Sequence, residues 1–290
     1  MHKHSAFVPA AALLLTLASS HAAAQTPATN LMPDGSRDMY VGLGVIGQPR
    51  YEGAEERRTR ALPLLQIEFS NGVFLSGTSA GMHLSQTPSV EFGPLLALQP
   101  RRSDRGSGQL IGGLNTDVQG IAGPLMPPLR LYSWGDNRLG GMDPVKARLQ
   151  AGGFFNYYLG SQWRLTNSVL AGAGGKGVVW NTGMQYLTGD FSAAHRISLT
   201  AGLELVNGGY NRTFFGVTNA EFQRTGLAQY TPGGGVKNVY LGARWNWALS
   251  PSWMLSTTAR VARLQGDART SPLVERPTQY TITTGLARRF

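Results

Sequence analysis

The stretch Ile197–Leu205, which reads ISLTAGLEL, decides the fold because apolar residues alternate with polar or small ones at every position. Successive side chains of a β-strand point to opposite faces of the sheet, so this stretch predicts a strand with one apolar and one polar face. The alternation recurs at 238–247 (NVYLGARWNW) and at 253–261 (WMLSTTARV). Repeated strands of this kind, apolar outside and polar inside, are typical of a transmembrane β-barrel.

Alternation over most of the chain predicts an all-β protein, a transmembrane antiparallel β-barrel of about 12 strands. An even number is typical of single-chain bacterial barrels, and 10 or 14 strands are the alternatives. The fifth interval contains Pro124, Pro127 and Pro128, which fit a central strand poorly. The predicted strands are 38–47, 61–70, 73–84, 89–100, 117–125, 145–159, 162–172, 177–190, 195–206, 236–249, 252–264 and 279–290.

Residues 1–24 have the pattern of a cleaved N-terminal signal peptide. Lys3 precedes an apolar run from Ala6 to Ala18, and alanines 22–24 end the pattern. The run is too short for a transmembrane helix, which needs about 20 residues. We therefore expect cleavage after Ala24, a short periplasmic segment at 25–37 and a barrel over 38–290.

The composition fits a barrel better than a soluble protein. The chain has 38 Gly in 290 residues and 14% charged residues, against about 7% and about 25% in typical proteins. A barrel needs few charges because its outer face meets lipid. Cysteine is missing, which excludes disulfides and thiolate chemistry. The formal net charge of +10 favours contact with anionic headgroups or the wall polymer, since scattered arginines without a basic helix do not indicate nucleic acid.

Connection lengths predict the two ends of the barrel. If both termini are periplasmic, the even-numbered connections should be short periplasmic turns and the odd ones longer outer loops. The short even connections are 70–72, 159–161 and 250–252, and the long odd ones are 207–235 and 265–278. The connection 101–116 is even but long, so we expect a periplasmic loop there. Its candidate partner-binding residues are Arg101, Arg102, Asp104 and Arg105.

The sequence offers little catalytic chemistry. His83 and His195 are the histidines that remain after signal removal, and neither has the neighbours expected of a catalytic base or a metal site. We predict no catalytic, cofactor-binding or metal-binding residues, and an outer-membrane hydrolase is the least favoured alternative. The charged cluster 52–60 is interpreted as a solvated outer loop, or as a contact for lipopolysaccharide phosphates through its arginines.

Two further features concern the inside of the barrel. Arg244 and Arg260, with Glu204, predict either a weakly anion-preferring path or charges that pair across a closed interior. Twelve strands enclose a lumen of intermediate width, which allows both. The Phe214–Phe215 pair in the longest outer loop is interpreted as a packed anchor at the barrel mouth rather than a ligand site.

Short motifs follow one another in order along nearly the whole predicted barrel. Their positions are Tyr51, Glu52, Gly53, Pro63, Phe214, Phe215, Gly216, Gly266, Asp267, Ser271 and Pro272. The chain ends in GLARRF at 285–290. This ordered set resembles the MipA/OmpV family of outer-membrane proteins, and the ending is similar to the family's terminal GLSYRF, with Arg288 where an aromatic residue is more usual.

The resemblance implies a non-enzymatic scaffold in the Gram-negative outer membrane that holds a murein lytic transglycosylase and a bifunctional murein synthase together in peptidoglycan remodelling. It implies no cofactor. A small outer-membrane channel or porin is the alternative. Leu286 and Phe290 lie on one face of the last strand and resemble the signal read by the barrel-assembly machinery. Lipids and lipopolysaccharide are the other expected partners.

Overall fold

The computed structural model describes residues 39–69, 71–85, 87, 89–107, 138–172, 177–188 and 194–290. Twelve strands form one closed antiparallel barrel, and two short strands form a separate hairpin. The predicted signal peptide, the segment 25–37 and the predicted strand 117–125 lie outside the described residues. None of the helices in the described ranges has the length and hydropathy needed to cross a membrane.

The strands and helices follow the chain in a simple order. The barrel strands are β1 Tyr40–Pro49, β2 Arg57–Glu68, β3 Val73–Ser76, β4 Ser79–Met82, β5 Val90–Gln99, β8 Arg148–Leu159, β9 Trp163–Gly172, β10 Val178–Leu187, β11 His195–Val206, β12 Gly235–Ser250, β13 Trp253–Leu264 and β14 Thr278–Arg289. The separate hairpin is β6 Arg102–Ser103 and β7 Gly106–Ser107. The helices are α1 Gly208–Phe215, α2 Asn219–Thr225 and α3 Gly266–Arg269.

The first and last strands close the barrel. β1 pairs antiparallel with β14, from Tyr40 opposite Arg289 to Gly47 opposite Ile282. Beyond the strands, the Phe290 amide donates to the Met39 carbonyl oxygen at 3.1 Å. Closure matters because an unpaired strand edge in lipid would leave backbone N–H and C=O groups without hydrogen bonds.

The alternation predicted from the sequence separates the two faces of the barrel. In β11, Ser198 and Glu204 face inward and are buried, whereas Leu199 faces outward and is 46% exposed. Large apolar side chains form an exposed belt around the outside, as a lipid-facing wall requires. The belt includes Val41, Leu43, Leu96, Leu149, Val169, Met184, Leu241, Val261, Ile282 and Leu286.

Aromatic side chains concentrate where several strands begin or end. Trp163 packs against Tyr186 with ring centroids 4.6 Å apart. His195, at the start of β11, and Trp247, near the end of β12, form a second ring pair with centroids 5.3 Å apart. Such rings are favoured at the boundary between lipid and water. Phe290, at the end of the chain, is also exposed, which fits the predicted outward face of the last strand.

The twelve-strand prediction is confirmed, but one region is assembled differently from the predicted order. Residues 73–84 fold as two strands, β3 and β4, and not as one. Ser76 pairs with Ser79, so Gly77 and Thr78 form a two-residue turn, and Gly77 has a positive φ of 58°. Glycine at the first position of such a turn is typical of tight hairpins.

The barrel has two unlike ends. We call the end where Tyr40 pairs with Arg289 the terminus end, and the opposite end the loop end. The turns around Gly72, Gly160 and Pro251 are short and lie at the terminus end. The connections 207–234 and 265–277 lie at the loop end, as their lengths predicted.

The sequence predicted that the connection after β5 lies at the terminus end, and this prediction is wrong. The connection carries the candidate partner-binding residues Arg101, Arg102, Asp104 and Arg105. With 73–84 folded as two strands, β5 is the fifth barrel strand, and the connection that follows it leaves from the loop end. The contacts agree, since Arg50 Nη2 in the first outer connection donates to the Asp104 carbonyl oxygen at 2.7 Å.

Glycine makes room for one large side chain inside the barrel. Tyr240 on β12 lies across Gly202 on β11, and its hydroxyl donates to Asn181 Oδ1 at 2.7 Å. A Cβ atom at Gly202 would lie 2.5 Å from Tyr240 Oη and 2.6 Å from the Thr182 carbonyl oxygen. A larger residue at this position therefore has to displace both a ring and backbone.

We expect Gly202→Val to lower the free energy of unfolding by about 1–3 kcal/mol, because overpacking forces side chains and backbone to shift. Urea unfolding of the detergent-folded protein, followed by tryptophan fluorescence, measures it. The control is Ala201→Val, whose side chain faces outward. An equal loss in both variants would contradict the packing described here.

Candidate functional site

The connections at the loop end pack together into one body, which we call the cap. It comprises residues 50–56, 100–107, 138–147, 207–234 and 265–277. These segments are far apart in the chain and meet because every odd connection of the barrel leaves from the same end. The family-motif positions predicted from the sequence lie mainly in these segments.

Local sequence signals start the two longer helices of the cap. Asn207 precedes α1, and its Oδ1 accepts from the Tyr210 amide at 2.9 Å and from the Val178 amide at 3.0 Å. Thr218 precedes α2 and forms a capping box with Glu221. Both are residue types that satisfy free N–H groups at a helix start. The Asn207 contacts also tie α1 to the end of β10.

Two apolar clusters hold the cap together. The first joins four connections and consists of Tyr51, Ala54, Leu139, Met142, Val217 and Leu273. The second joins α1 and α3 to strand ends and consists of Val206, Tyr210, Phe215, Leu264 and Ala268. Phe215 is 0% exposed. The interpretation of Phe214–Phe215 as a packed anchor is therefore confirmed for Phe215.

The first motif links the first outer connection to the last. The Tyr51 hydroxyl donates to the Leu273 carbonyl oxygen at 3.0 Å. The Gly53 carbonyl oxygen accepts from the amides of Glu275 (2.8 Å) and Arg276 (3.0 Å). Gly53 has a φ of 102°, a conformation that favours glycine over any residue with a Cβ.

The later motifs join the last outer connection to the longest one. Ser271 Oγ donates to the Phe215 carbonyl oxygen at 2.6 Å. Asp267 Oδ2 accepts from the Gly233 amide at 2.6 Å. Gly266, which begins α3, has a φ of 48°. Backbone and short side chains therefore cross-link two loops that are separate in sequence.

Three motif positions have more local roles. The Gly216 amide ends α1 by donating to the Arg212 carbonyl oxygen at 3.2 Å. The Pro272 carbonyl oxygen accepts from Arg138 Nη1 at 3.0 Å. Pro63 is the exception to the pattern, because it lies in β2 with its ring exposed on the outer face of the barrel.

A buried ion cluster fastens the cap to the barrel wall. Lys237 Nζ on β12 lies 2.5 Å from Glu204 Oε2 on β11 and 2.9 Å from Glu52 Oε1 in the cap. The Lys237 side chain is 6% exposed and lies 5.0 Å from the centre of the Tyr210 ring. Glu52, which the sequence placed in a solvated cluster at 52–60, is 32% exposed and pairs with this buried lysine of the barrel wall.

Sequence reasoning missed Lys237. The register between β11 and β12 shifts at Glu204/Leu205, so Lys237 and Asn238 both face inward. The only signal was two consecutive polar residues at the start of an otherwise alternating strand. A β-bulge produces that irregularity. A local sequence pattern cannot reveal the partner of Lys237, because Glu52 lies 185 positions away along the chain.

A second basic side chain joins the same cluster. Arg260 Nη2 lies 3.7 Å from Glu204 Oε1, and its guanidinium lies 4.1 Å over the Tyr240 ring. Of the two interpretations drawn from the sequence, pairing across the interior therefore holds for Arg260 with Glu204. Arg244 lies further toward the terminus end, in register with Ser198.

The predicted partner-binding residues do not share one environment. Arg102 is buried, its guanidinium donates to the Phe214 carbonyl oxygen, and its backbone pairs with Val145. Burial lowers the pKa of Arg102, and the Glu221 charge opposes this. Arg101, Asp104 and Arg105 are exposed. Arg102 therefore helps to hold the cap, and three of the four residues lie on its surface.

Buried tyrosine and glutamate groups of the cap are held in single protonation states. Burial raises the pKa of Tyr51, and the Glu275 charge adds to this, so the hydroxyl stays a donor. Burial alone would raise the pKa of Glu221, but hydrogen bonds from the Thr218 and Asp143 amides outweigh it and lower the pKa. These groups are structural at neutral pH.

The two histidines lie at the terminus end, in the connection after β4 and at the start of β11. His83 Nδ1 lies 2.9 Å from Glu91 Oε1, and its ring packs between Phe74 and Phe154. Trp245 Nε1 donates to His195 Nδ1 at 3.2 Å. Across the described ranges, no three His, Cys, Asp or Glu side chains group as ligands for a metal ion.

A closed twelve-strand barrel with an apolar belt outside, short turns at one end and long loops at the other defines an outer-membrane β-barrel. A family model described as MltA-interacting protein MipA matches residues 41–290. The chain belongs to this family, as the ordered motifs predicted.

Two relatives carry the family's name. The MltA-interacting protein of Escherichia coli (strain K12) is 26% identical over 159 residues, which cover 54% of this chain and 62% of that protein. The MltA-interacting protein of Shigella flexneri gives the same values. The chain thus spans a little under two thirds of the length of the curated relatives it matches.

Solved structures show only distant likeness. The NanC porin structure in a rhombohedral crystal form has a TM-score of 0.46 and 9% identity, covering 86% of this chain and 100% of that one. The translocator domain of the autotransporter NalP from Neisseria meningitidis has a TM-score of 0.46 and 9% identity, covering 89% and 90%. These likenesses are too weak to bear on function.

We expect Lys237→Met to lower the free energy of unfolding by about 3–5 kcal/mol, because it removes the nearest cation of the buried Glu204 carboxylate and the partner of Glu52. Adding Glu204→Gln should restore part of the loss. Urea unfolding of the four proteins in this double-mutant cycle measures the coupling. Lys146→Met removes an exposed lysine of the cap and is the control. Additive losses would show that Lys237 and Glu204 do not interact.

The His83 pair should make stability depend on pH. Burial alone would lower the pKa of His83, but the hydrogen bond and charge of Glu91 and the charge of Glu68 outweigh it and raise the pKa. The stabilisation is therefore full below the unfolded pKa of about 6.5 and is lost as pH rises through the raised folded value. The difference in unfolding free energy between the parent and His83→Gln should therefore narrow as pH rises, leaving the part that comes from ring packing against Phe74 and Phe154. His195→Gln is the control, and a gap independent of pH would contradict the pairing.

Proposed function

We propose that this chain is a non-enzymatic outer-membrane scaffold that binds a murein lytic transglycosylase and a bifunctional murein synthase during peptidoglycan remodelling. Membership of the MipA family supports the proposal, and the relatives from Escherichia coli and Shigella flexneri are named MltA-interacting proteins. Binding of the transglycosylase is the part that this name supports, and the synthase is the extension that the family resemblance implies.

The observation that carries the proposal is the packed loop end. Cap segments from four connections share an apolar cluster, and the buried Lys237 fastens the cap to the wall through Glu52 and Glu204. An open conduit would instead keep polar side chains and water along its axis. Inside the barrel, Tyr40, Leu95, Met254 and Ala287 are at most 1% exposed. This packing favours a platform over a channel.

The histidine rings are packed among aromatic side chains. His83 lies between Phe74 and Phe154, and His195 lies beside Trp245 and Trp247. A general base needs room at a ring nitrogen for a nucleophile or a water molecule. Aromatic packing of both rings therefore supports a structural role for these histidines.

The proposal places the murein enzymes at the terminus end. This end carries short turns, which is the periplasmic arrangement in outer-membrane barrels. The exposed arginines Arg101 and Arg105 lie at the opposite end and are not assigned to these partners. We assign contact with lipopolysaccharide to the loop end. Leu286 and Phe290 are assigned to recognition by the barrel-assembly machinery.

We expect a block at the terminus end to stop capture of the transglycosylase. The chain contains no cysteine, so a single introduced cysteine can be labelled selectively with a bulky polymer maleimide. Label at Ser161→Cys, in the turn after β8, should abolish capture. Label at Gln223→Cys on α2 is the matched loop-end control and should leave capture intact.

The readout is pull-down of a purified lytic transglycosylase by the detergent-folded protein, alongside conductance in planar bilayers. Capture without a steady conductance supports the scaffold. Stable open channels in a protein that does not capture the transglycosylase would overturn the proposal in favour of a small porin. If only the label at position 223 stops capture, the scaffold role stands, but the murein enzymes bind at the loop end.

A further inference from the structure

The lipid-facing wall of the barrel carries a small number of charges. Among the Asp, Glu, Lys and Arg side chains of the described barrel strands, three point outward, and all three are arginines. They are Arg57 on β2, Arg263 on β13 and Arg288 on β14, and each is exposed. A charge on this face is costly at the centre of a bilayer and is tolerated at its boundary. We therefore expect these arginines to mark the edges of the apolar belt.

The spacing of the outward arginines matches the thickness of a membrane. Arg288 lies opposite Trp253 and Arg263 lies opposite Thr278, so the two levels are ten residues apart along β13. Ten residues extend about 33 Å along a strand, or about 25 Å along the barrel axis at a tilt of about 40°. The apolar band of outer-membrane barrels is about 25 Å tall. Arg263 thus lies at the loop-end boundary and Arg288 at the terminus-end boundary.

Arg57 lies at the same boundary as Arg263, although β1 and β14 separate their strands. The Arg57 side chain crosses β1, where Nη2 donates to the Gly47 carbonyl oxygen at 3.3 Å, and reaches the Tyr280 carbonyl oxygen on β14 with Nη1 at 2.8 Å. Tyr280 is opposite Val261, so Arg263 is its diagonal neighbour on the same outer face. Diagonal neighbours lie about 7–8 Å apart. The two arginines therefore flank Tyr280.

The positive charge at this boundary has no carboxylate partner within the described residues. The two glutamates that precede Arg57 in the chain pair with other arginines, Glu55 with Arg276 and Glu56 with Arg50. Arg57 itself donates to neutral carbonyl oxygens. These hydrogen bonds hold its guanidinium in place and leave some of its five N–H donors for another acceptor.

The surroundings suit an anionic lipid. Tyr280 is 48% exposed, and aromatic rings of this kind favour the boundary between lipid and water. Toward the terminus end, the exposed side chains of Val45, Val261 and Ile282 begin the apolar belt, against which acyl chains can pack. The arginine fork donates two parallel hydrogen bonds to phosphate oxygens. The pair and the belt thus match a lipid with a phosphorylated headgroup.

We propose that Arg57 and Arg263, on either side of Tyr280, bind a phosphate group of lipid A, the membrane anchor of lipopolysaccharide. The acyl chains of the bound lipid lie along the apolar belt below the arginines. This inference rests on the proposed function, which places the loop end outside the cell, and it names the residues and the headgroup of that contact. It uses the outer wall, whereas the scaffold role uses the rim of turns.

Retention of radiolabelled lipid A from mixed detergent micelles by the immobilised, folded protein tests the site. Arg57→Gln and Arg263→Gln should each weaken retention by about tenfold, because each removes hydrogen bonds to a charged group. Arg288→Gln removes the same charge from the outer face at the opposite boundary and is the matched control. It should leave retention unchanged. Arg57→Lys keeps the charge and serves if Arg57→Gln fails to fold.

Further arms fix the ligand class. Lipid A from which both phosphates have been removed should be retained much more weakly, and equal retention would overturn the phosphate contact. Inorganic phosphate should not displace lipid A at equal concentration, and displacement would overturn the contribution of the lipid body. Retention of phosphatidylglycerol as strong as that of lipid A would overturn the assignment to lipid A.

The site is overturned if the double variant Arg57→Gln/Arg263→Gln retains lipid A like the parent, or if Arg288→Gln loses as much. Pull-down of the transglycosylase separates this inference from the scaffold. A double variant that loses lipid A but captures the transglycosylase establishes a lipid site independent of the partner surface. A parent protein that captures the transglycosylase without retaining lipid A overturns the lipid site alone, and the reverse result overturns the scaffold alone.

Discussion

The hydrogen bonds between β1 and β14 are the constraint on which the rest of the structure depends. In lipid, an open sheet would expose unpaired N–H and C=O groups, so the sheet has to close on itself. Closure turns simple alternation along each strand into two environments, an apolar outside and a polar inside. It also sends every odd connection to one end, where the cap forms, and every even one to the other.

The cap then makes a buried cation tenable. Lys237 would be costly to bury alone, but two carboxylates, one from the wall and one from the cap, lie within hydrogen-bond distance. The cap in turn is held by contacts of Tyr51, Gly53 and Ser271 with backbone groups of distant loops. Wall and cap therefore stabilise each other, and the described loops of the proposed scaffold pack together at the loop end.

The terminus-end half of the barrel has a polar cluster of its own. Glu91 on β5 lies 2.9 Å from His83 Nδ1 and accepts hydrogen bonds from the side chains of Asn156 and Tyr158 on β8. The barrel thus gathers polar side chains around one inward carboxylate near each end, Glu204 near the loops and Glu91 near the turns.

Most strand positions, the even strand number and the outward apolar face were determined by the sequence itself, because alternation is a local property of each strand. The β3–β4 hairpin escaped prediction, since a two-residue turn at Gly77 keeps the alternation going, and the error put Arg101–Arg105 at the wrong end. The convergence of the motifs and the Lys237 cluster were decided only by tertiary structure. Their contacts join residues that are far apart in the sequence, such as Tyr51 and Leu273, which are 222 positions apart. Local pattern carries no information about such pairs until closure brings the loops together.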